Sequence, residues 1–189
     1  FFDVVTYTGN GSAQTIAHNL ESVPGMIIVK NLSSSTNWIV YHRSSNAAPE
    51  DYKFELNENG AVADNANSWN DTAPTSTHFT VGTNNSANSA NYVAYLFAHN
   101  EEIFGAGGDE SIIKCGIYTG NGSTTGPEID LGWEPQWLML KGVNGSDWLM
   151  ADTIRGVPRG YDGARLNANL SNTEYINNQF VAPQADGFQ

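Results

Sequence analysis

The hexamer "YTGNGS" occupies positions 7–12 and returns at 118–123, and this recurrence constrains the fold more than any other feature of the chain. A shift of 111 brings much more than six letters into register: Leu20 falls on Leu131, Pro24 on Pro135 and Lys30 on Lys141. "HNLESVPGMIIVKNLSSSTNWIVYHR" then faces "DLGWEPQWLMLKGVNGSDWLMADTIR", with Trp38 meeting Trp148 after a one-residue slip in the intervening loop. Agreement in order, spacing and chemistry over such a span marks a tandem duplication, so whatever one copy folds into, the other is built to repeat.

Each copy reads as short strands. In the first, "FDVVTYT", "QTIAHNL", "GMIIVKNL", "NWIVYHR", "DYKFELN", "HFTVGT" and "NYVAYLFAHN" are β-branched or aromatic runs bounded by Gly, Asn, Ser, Pro and Asp. Alternation puts Trp38, Val40 and His42 on one face of a strand, and Tyr52, Phe54 and Leu56 on one face of another. "GMIIVK" is apolar on both faces and reads as a central strand. "AVADNANSWND" has room for one helical turn, but its Asn content and lack of a 3.6-residue period favour a loop.

The second copy runs through "ESIIKCGIYT", "PEIDL", "QWLMLKGV", "DWLMADTIR" and "ARLNANL" to "DGFQ". The expected fold is all-β: two tandem antiparallel β-sandwich modules of jelly-roll or lectin-like type, over 1–103 and 112–189, joined by a Gly-rich linker at 104–111. Phe188 corresponds to Phe79, so counterparts of "TVGT" and "NYVAYLFAHN" are missing from the second module. Its sheet is expected to keep an open edge, closed by further chain beyond Gln189 or by a neighbouring subunit.

Composition narrows the partners. Only 15% of residues are charged, and 20 acidic against 8 basic residues leave a net charge of -12, which repels phosphate-rich ligands. Arg155, Arg159 and Arg165 are the nearest approach to a basic patch, and Gly, Pro or Asp separates them. No nucleic-acid partner is expected. The single cysteine, Cys115, excludes an internal disulfide and sits in apolar "IIKCGIY" as a buried, inert thiol, with His18, His42, His78 and His99 scattered along the chain. No apolar run reaches the roughly 18–20 residues that span a bilayer, so no membrane insertion is expected.

Gly9, Asn10 and Gly11, with their repeats Gly120, Asn121 and Gly122, suit either a phosphate-cradling loop or a turn. No helix follows the motif, whereas Asn-Gly between strands is a strong type I′ hairpin signal, so the six residues are read as structural turns. The Asn-x-Ser/Thr sequons follow from a composition rich in those residues. Glu50 with Asp51, Asp109 with Glu110, and Glu128 with Asp130 are the candidate carboxylate pairs of the kind a glycosidase needs, but they are read as the acidic residues of solvated strand ends and turns. "YHRS" places His42 beside Arg43, but the second copy has "MADTIR" there, so a structural His is expected. No cofactor is expected; Asp109 and Glu110 lack the EF-hand spacing for Ca²⁺. The ligand candidates are aromatic: Trp69 in a polar loop and Trp133 beside Pro135, indole faces on which a sugar ring stacks. Trp38, Trp137 and Trp148 are assigned to the two cores.

"YTGNGSAQTIAHNLESVPGMIIVKNLSSSTNWIVYHRS", "WNDTAPTSTHFTVGT" and "YVAYLFAHNEE", with "IIKCGIYTGNGSTTGPEIDLGWEPQWLMLK" and "ADTIRG", resemble a β-rich module of virion proteins of marine tailed phages, including cyanophages. The resemblance covers nearly the whole chain. It implies a tail-fibre or other adhesion-type structural protein on the virion surface, without catalytic residues. The implied partners are other virion proteins and further copies of the chain, with host-surface glycan or protein as the target. A carbohydrate-binding module of a secreted bacterial protein is the alternative, and a tailspike-type glycoside hydrolase the third reading.

Overall fold

Alternation along "FDVVTYT" and its neighbours folds as strands, one face in and one face out. The computed structural model describes residues 1–100, 102–103, 105–155, 164–176 and 181–189. The described residues are almost entirely β structure with antiparallel pairing, in two units, Phe1–Ile117 and Tyr118–Gln189.

The first unit contains β1 (Phe2–Thr8), β2 (Gln14–Ala17), β3 (Met26–Asn31), β4 (Ile39–His42), β5 (Tyr52–Glu55), β6 (Ala63–Asp64), the helical turn α1 (Ala66–Trp69), β7 (His78–Val81) and β8 (Asn91–Phe97). Six strands form one sheet in the order β1-β8-β3-β4-β5-β6, while β2 and β7 pair separately. The doubly apolar β3 lies in the middle, flanked by β8 and β4. Ile27, Val29, Tyr41, Tyr92, Ala94 and Leu96 from the large sheet form one buried cluster with Phe79 and Val81 of β7, and Ile16 of β2 packs on it. Tyr7 anchors this cluster, stacked on Tyr92 at 5.0 Å and edge-on to Phe79 at 6.4 Å.

Three expectations change. "AVADNANSWND" does form a helical turn, ended by Asn70 in the left-handed conformation at φ 54°, a cap that Asn tolerates. The glycine turn at 9–11 is not a hairpin, because β1 and β2 belong to different sheets. Only Gly11 of that turn has positive φ, 82°, whereas a type I′ turn needs two such residues. The division between units falls after Ile117 rather than at 104–111, since 112–117 is tied to the first unit. The Asn100 N–H donates to the Ile113 carbonyl at 2.8 Å, and the Cys115 N–H donates to His99 Nδ1 at 3.0 Å. Gly105–Gly108 is a turn within the expected linker, whose Phe104 lies outside the described residues.

The second unit contains β9 (Ile129–Asp130), β10 (Trp137–Leu140), β11 (Leu149–Asp152), β12 (Leu166–Asn167), β13 (Pro183–Gln184) and β14 (Gly187–Phe188). Its sheets run β10-β11-β12 and β13-β14-β9. The duplication holds at the level of register. Met26 faces His42 and Val29 faces Ile39, as Trp137 faces Asp152 and Leu140 faces Leu149. Phe79 faces Ile16, as Phe188 faces Ile129.

One clasp is repeated almost atom for atom. Lys30 lies 5.5 Å from the Trp38 ring centroid and donates to the Thr36 carbonyl; Lys141 lies 5.7 Å from the Trp148 ring and donates to the Ser146 carbonyl. The Trp38 N–H donates to Asn57 Oδ1 at 2.9 Å, and the Trp148 N–H to Asn169 Oδ1 at 2.9 Å. Each Asn amide then reaches back, to Asn37 at 2.9 Å and to Asp147 at 2.8 Å. Asn57 and Asn169 are a repeat pair that the sequence comparison did not identify. Each satisfies a backbone donor at the start of β4 or β11.

The segment 113–119, which falls on β1 at the shift of 111 and shares its closing Tyr-Thr, forms no strand. The physical reason is that β1 is an edge strand whose only ladder partner is β8. No β8 counterpart exists among the described residues of the second unit.

Candidate functional site

The tryptophans redistribute. Trp69 is 2% exposed, edge-on to Tyr41 at 5.8 Å, in the core of the first unit. The reading of Trp69 as an exposed platform is therefore corrected: α1 turns the indole inward from an otherwise polar loop. Trp133 is half-buried and keeps part of its surface open. Trp148 is buried as expected, Trp38 is half-buried against Tyr95, and Trp137, assigned to the core, is 51% exposed. Its equivalent, Met26, is paired to Phe97 of β8, whereas β10 has no strand on that side among the described residues.

The two glycine turns share their inner geometry but not their surroundings. Asn10 Oδ1 accepts the Ser12 N–H at 2.8 Å, and Asn121 Oδ1 accepts the Ser123 N–H at 2.9 Å. Gly11 and Gly122 have φ of 82° and 70°. In the first unit the loop before β8 closes over the turn. Gly9 N–H donates to the Ala90 carbonyl at 2.8 Å, Gly11 N–H to the Ser86 carbonyl at 2.7 Å, and Ser89 N–H to the Gly9 carbonyl at 2.9 Å. A Cβ on Gly9 would overlap the Ala87 carbonyl oxygen, whereas one on Gly120 meets nothing within 4 Å.

In place of that loop the second unit has a cavity of about 200 Å³ lined by Tyr118, Gly120, Asn121, Gly122, Val181 and Phe188, among others. Tyr118 is edge-on to Phe188 at 5.9 Å, as Tyr7 is to Phe79. Tyr7 donates its hydroxyl to the Asn85 carbonyl at 2.8 Å and stacks on Tyr92; Tyr118 is 43% exposed. Neither the cavity nor the contrast between Gly9 and Gly120 can be read from the hexamer itself.

Three reactive side chains that the sequence left scattered, His42, His99 and Cys115, lie near one another. His42 and His99 interact electrostatically, and a Cβ on Gly25 would lie 2.7 Å from His99 Cβ and 2.8 Å from Cys115 Sγ. Burial pushes the Cys115 thiol up to about 11, which leaves it protonated and inert at neutral pH. His42 accepts the Ser44 N–H on Nδ1 at 3.2 Å, and burial, then His99 and Arg43, lowers its pKa to about 4. His18 and His99 are also lowered, chiefly by burial.

These shifts predict acid sensitivity. A histidine whose folded pKa lies below its unfolded value of about 6.5 contributes stability that is complete above that value and is lost as pH falls toward 4. His42 alone accounts for on the order of 3 kcal/mol. Melting curves should show the first unit losing stability between pH 6.5 and 4, and His42→Gln should flatten that slope. An unchanged slope in the variant would remove His42 from the acid response.

The carboxylate pairs stay dispersed. Glu50 and Asp51 lie in a short 3₁₀ turn; partial desolvation, then Asp71, Glu50 and Asp64, raise the Asp51 pKa. Asp109, Glu110, Glu128 and Asp130 are exposed. No group of three His, Cys, Asp or Glu side chains with metal-binding geometry occurs among the described residues. Arg155 pairs with Asp152 at 3.1 Å and Glu174 at 3.8 Å, and Arg165 lies over Tyr175; Arg159 lies outside the described residues.

Register, clasp and turn together define an all-β protein built by tandem duplication, in which one copy of a turn is covered and the other is open. The chain belongs to the family described as a domain of unknown function, DUF7483, which it matches over residues 1–189. No curated protein and no solved structure matches it.

Proposed function

We propose that the protein is a non-catalytic structural and adhesion component of a phage virion, carried on a tail fibre or other surface appendage as two β-sandwich-like modules. The observation that carries this reading is the duplication itself, kept in register and in the Lys–Trp–Asn clasp. Tandem repetition of a structural unit is a common way of building extended proteins. The edge of β10 that is unpaired among the described residues supports an assembling role, because an exposed strand edge is a template for pairing with another chain segment. A surface dominated by uncharged polar residues suits shallow contact with host glycan or protein. The motif resemblance to virion modules of marine tailed phages points the same way.

Two measurements test the proposal. Antibody raised against the purified chain should label intact particles, and the free chain should lower phage adsorption to host cells. Particles that lack the chain would refute the reading. The sugar-binding alternative rests on Trp133, half-buried beside Pro135. It predicts glycan-array binding that Trp133→Ala abolishes.

A further inference from the structure

We propose that the second unit is an acceptor for one extended strand of β8 character, supplied by polypeptide outside residues 1–189. The site is the edge of β10 that has no partner strand among the described residues, together with the cavity at the second glycine turn. The first unit shows the same site filled, which defines the occupant.

Three features of the vacant site match three features of that filling. The first is the backbone edge. On β3, Ile27 and Val29 bond to β4, while Met26, Ile28 and Lys30 bond to β8, the register continuing in the Leu32 N–H bond to the Asn91 carbonyl at 2.7 Å. The identical register of β10 with β11, fixed by the Thr153 N–H bond to the Gln136 carbonyl at 3.0 Å, turns the N–H and C=O groups of Trp137, Met139 and Lys141 to the free side.

The second is an aromatic platform. Tyr7 holds Tyr92 of β8 in a parallel stack, tilted by 6°; Tyr118 has a similar edge-on contact with Phe188 and is 43% exposed. The third is the glycine. Gly9 is a glycine because the Ala87 carbonyl approaches its Cα, and Gly120 repeats that residue where no neighbour yet requires it. Exposed Trp137 and half-buried Leu138 and Leu140 supply the apolar surface that such a strand covers.

The occupant must therefore bring a loop of small residues over Gly120, then an extended run with an inward Tyr over Tyr118 and small or aliphatic side chains over Leu140 and Leu138. In the first unit, Tyr92, Ala94 and Leu96 have those roles, facing Asn31, Val29 and Ile27. The β8 of a second copy is not free to fill the site: it pairs on both sides, and Tyr92, Ala94 and Leu96 are at most 1% exposed. The mode is β-augmentation, with main-chain bonds for affinity and alternate side chains for specificity.

The test adds the synthetic peptide TNNSANSANYVAYLFAHN, residues 83–100, to the intact 189-residue chain. Calorimetry should show saturable binding of one peptide per chain. Hydrogen exchange at Trp137, Met139 and Lys141 should slow by about tenfold or more. Gly120→Ala should leave the chain folded and abolish binding. A peptide N-methylated at Val93 and Tyr95, whose amides face the β3 side, should not bind. The proposal is overturned by no saturable binding, by protection elsewhere in the chain, or by Gly120→Ala binding as the wild type does. It also falls if the chain dimerises through β10 and the peptide fails to displace the second copy.

Discussion

Trp69→Ala is expected to lower the stability of the first unit by about 3–5 kcal/mol, the cost of removing a fully enclosed aromatic side chain. The indole is 2% exposed and bounded by Tyr41, and the polar loop that carries it cannot collapse into the space without unwinding α1. That turn is itself pinned to the sheet: the Gly82 N–H and Asn85 Nδ2 both donate to the Ser68 carbonyl, at 2.9 and 3.1 Å. Trp69→Phe should cost much less. It keeps most of the ring contact and removes an indole N–H that has no hydrogen-bond partner among the described residues. Chemical denaturation followed by a first-unit probe measures both variants. Equal losses for Ala and Phe would mean that the indole nitrogen, rather than ring volume, holds the core. The result also bears on sugar binding, since a Trp69→Ala chain that loses glycan affinity has lost its fold first.

Trp69 marks where sequence reasoning stopped. Strand positions were legible because they depend on period-two patterning within a few residues, and "GMIIVK" announces a central strand by its apolar faces alone. The repeat was legible because matched letters need no structure. Burial of Trp69 was not, since it depends on one helical turn in an Asn-rich loop folding over Tyr41, which is 28 residues earlier in the chain. Exposure of Trp137 was not legible for the complementary reason. Its hydrophobic pattern is that of an inner strand, and only the strand order reveals that β10 has no partner on the side away from β11 among the described residues. The turn was half legible: Gly11 needs its positive φ, as the motif implies, but whether the turn joins paired strands or passes between sheets is a property of topology.

Gly9→Ala and Gly120→Ala change the same letter of the same hexamer, and they are expected to differ by about 3 kcal/mol. Neither residue has positive φ, so backbone preference does not separate them. The difference is steric. A Cβ at position 9 would overlap the Ala87 carbonyl oxygen and lie 2.7 Å from the Ser86 carbonyl carbon, and these are backbone atoms that no rotamer change can move aside. Relief requires the loop before β8 to lift, at the expense of the Gly9, Gly11 and Ser89 backbone bonds, each contributing about 1 kcal/mol. Position 120 has open space, and its variant should melt with the wild type. Gly11→Ala and Gly122→Ala serve as the internal standard: both residues hold left-handed φ, so both variants should lose a similar amount, about 1 kcal/mol. Thermal melts of the four variants separate conformational from steric demand. A Gly120→Ala loss as large as that of Gly9→Ala would mean that the second turn is already covered in solution.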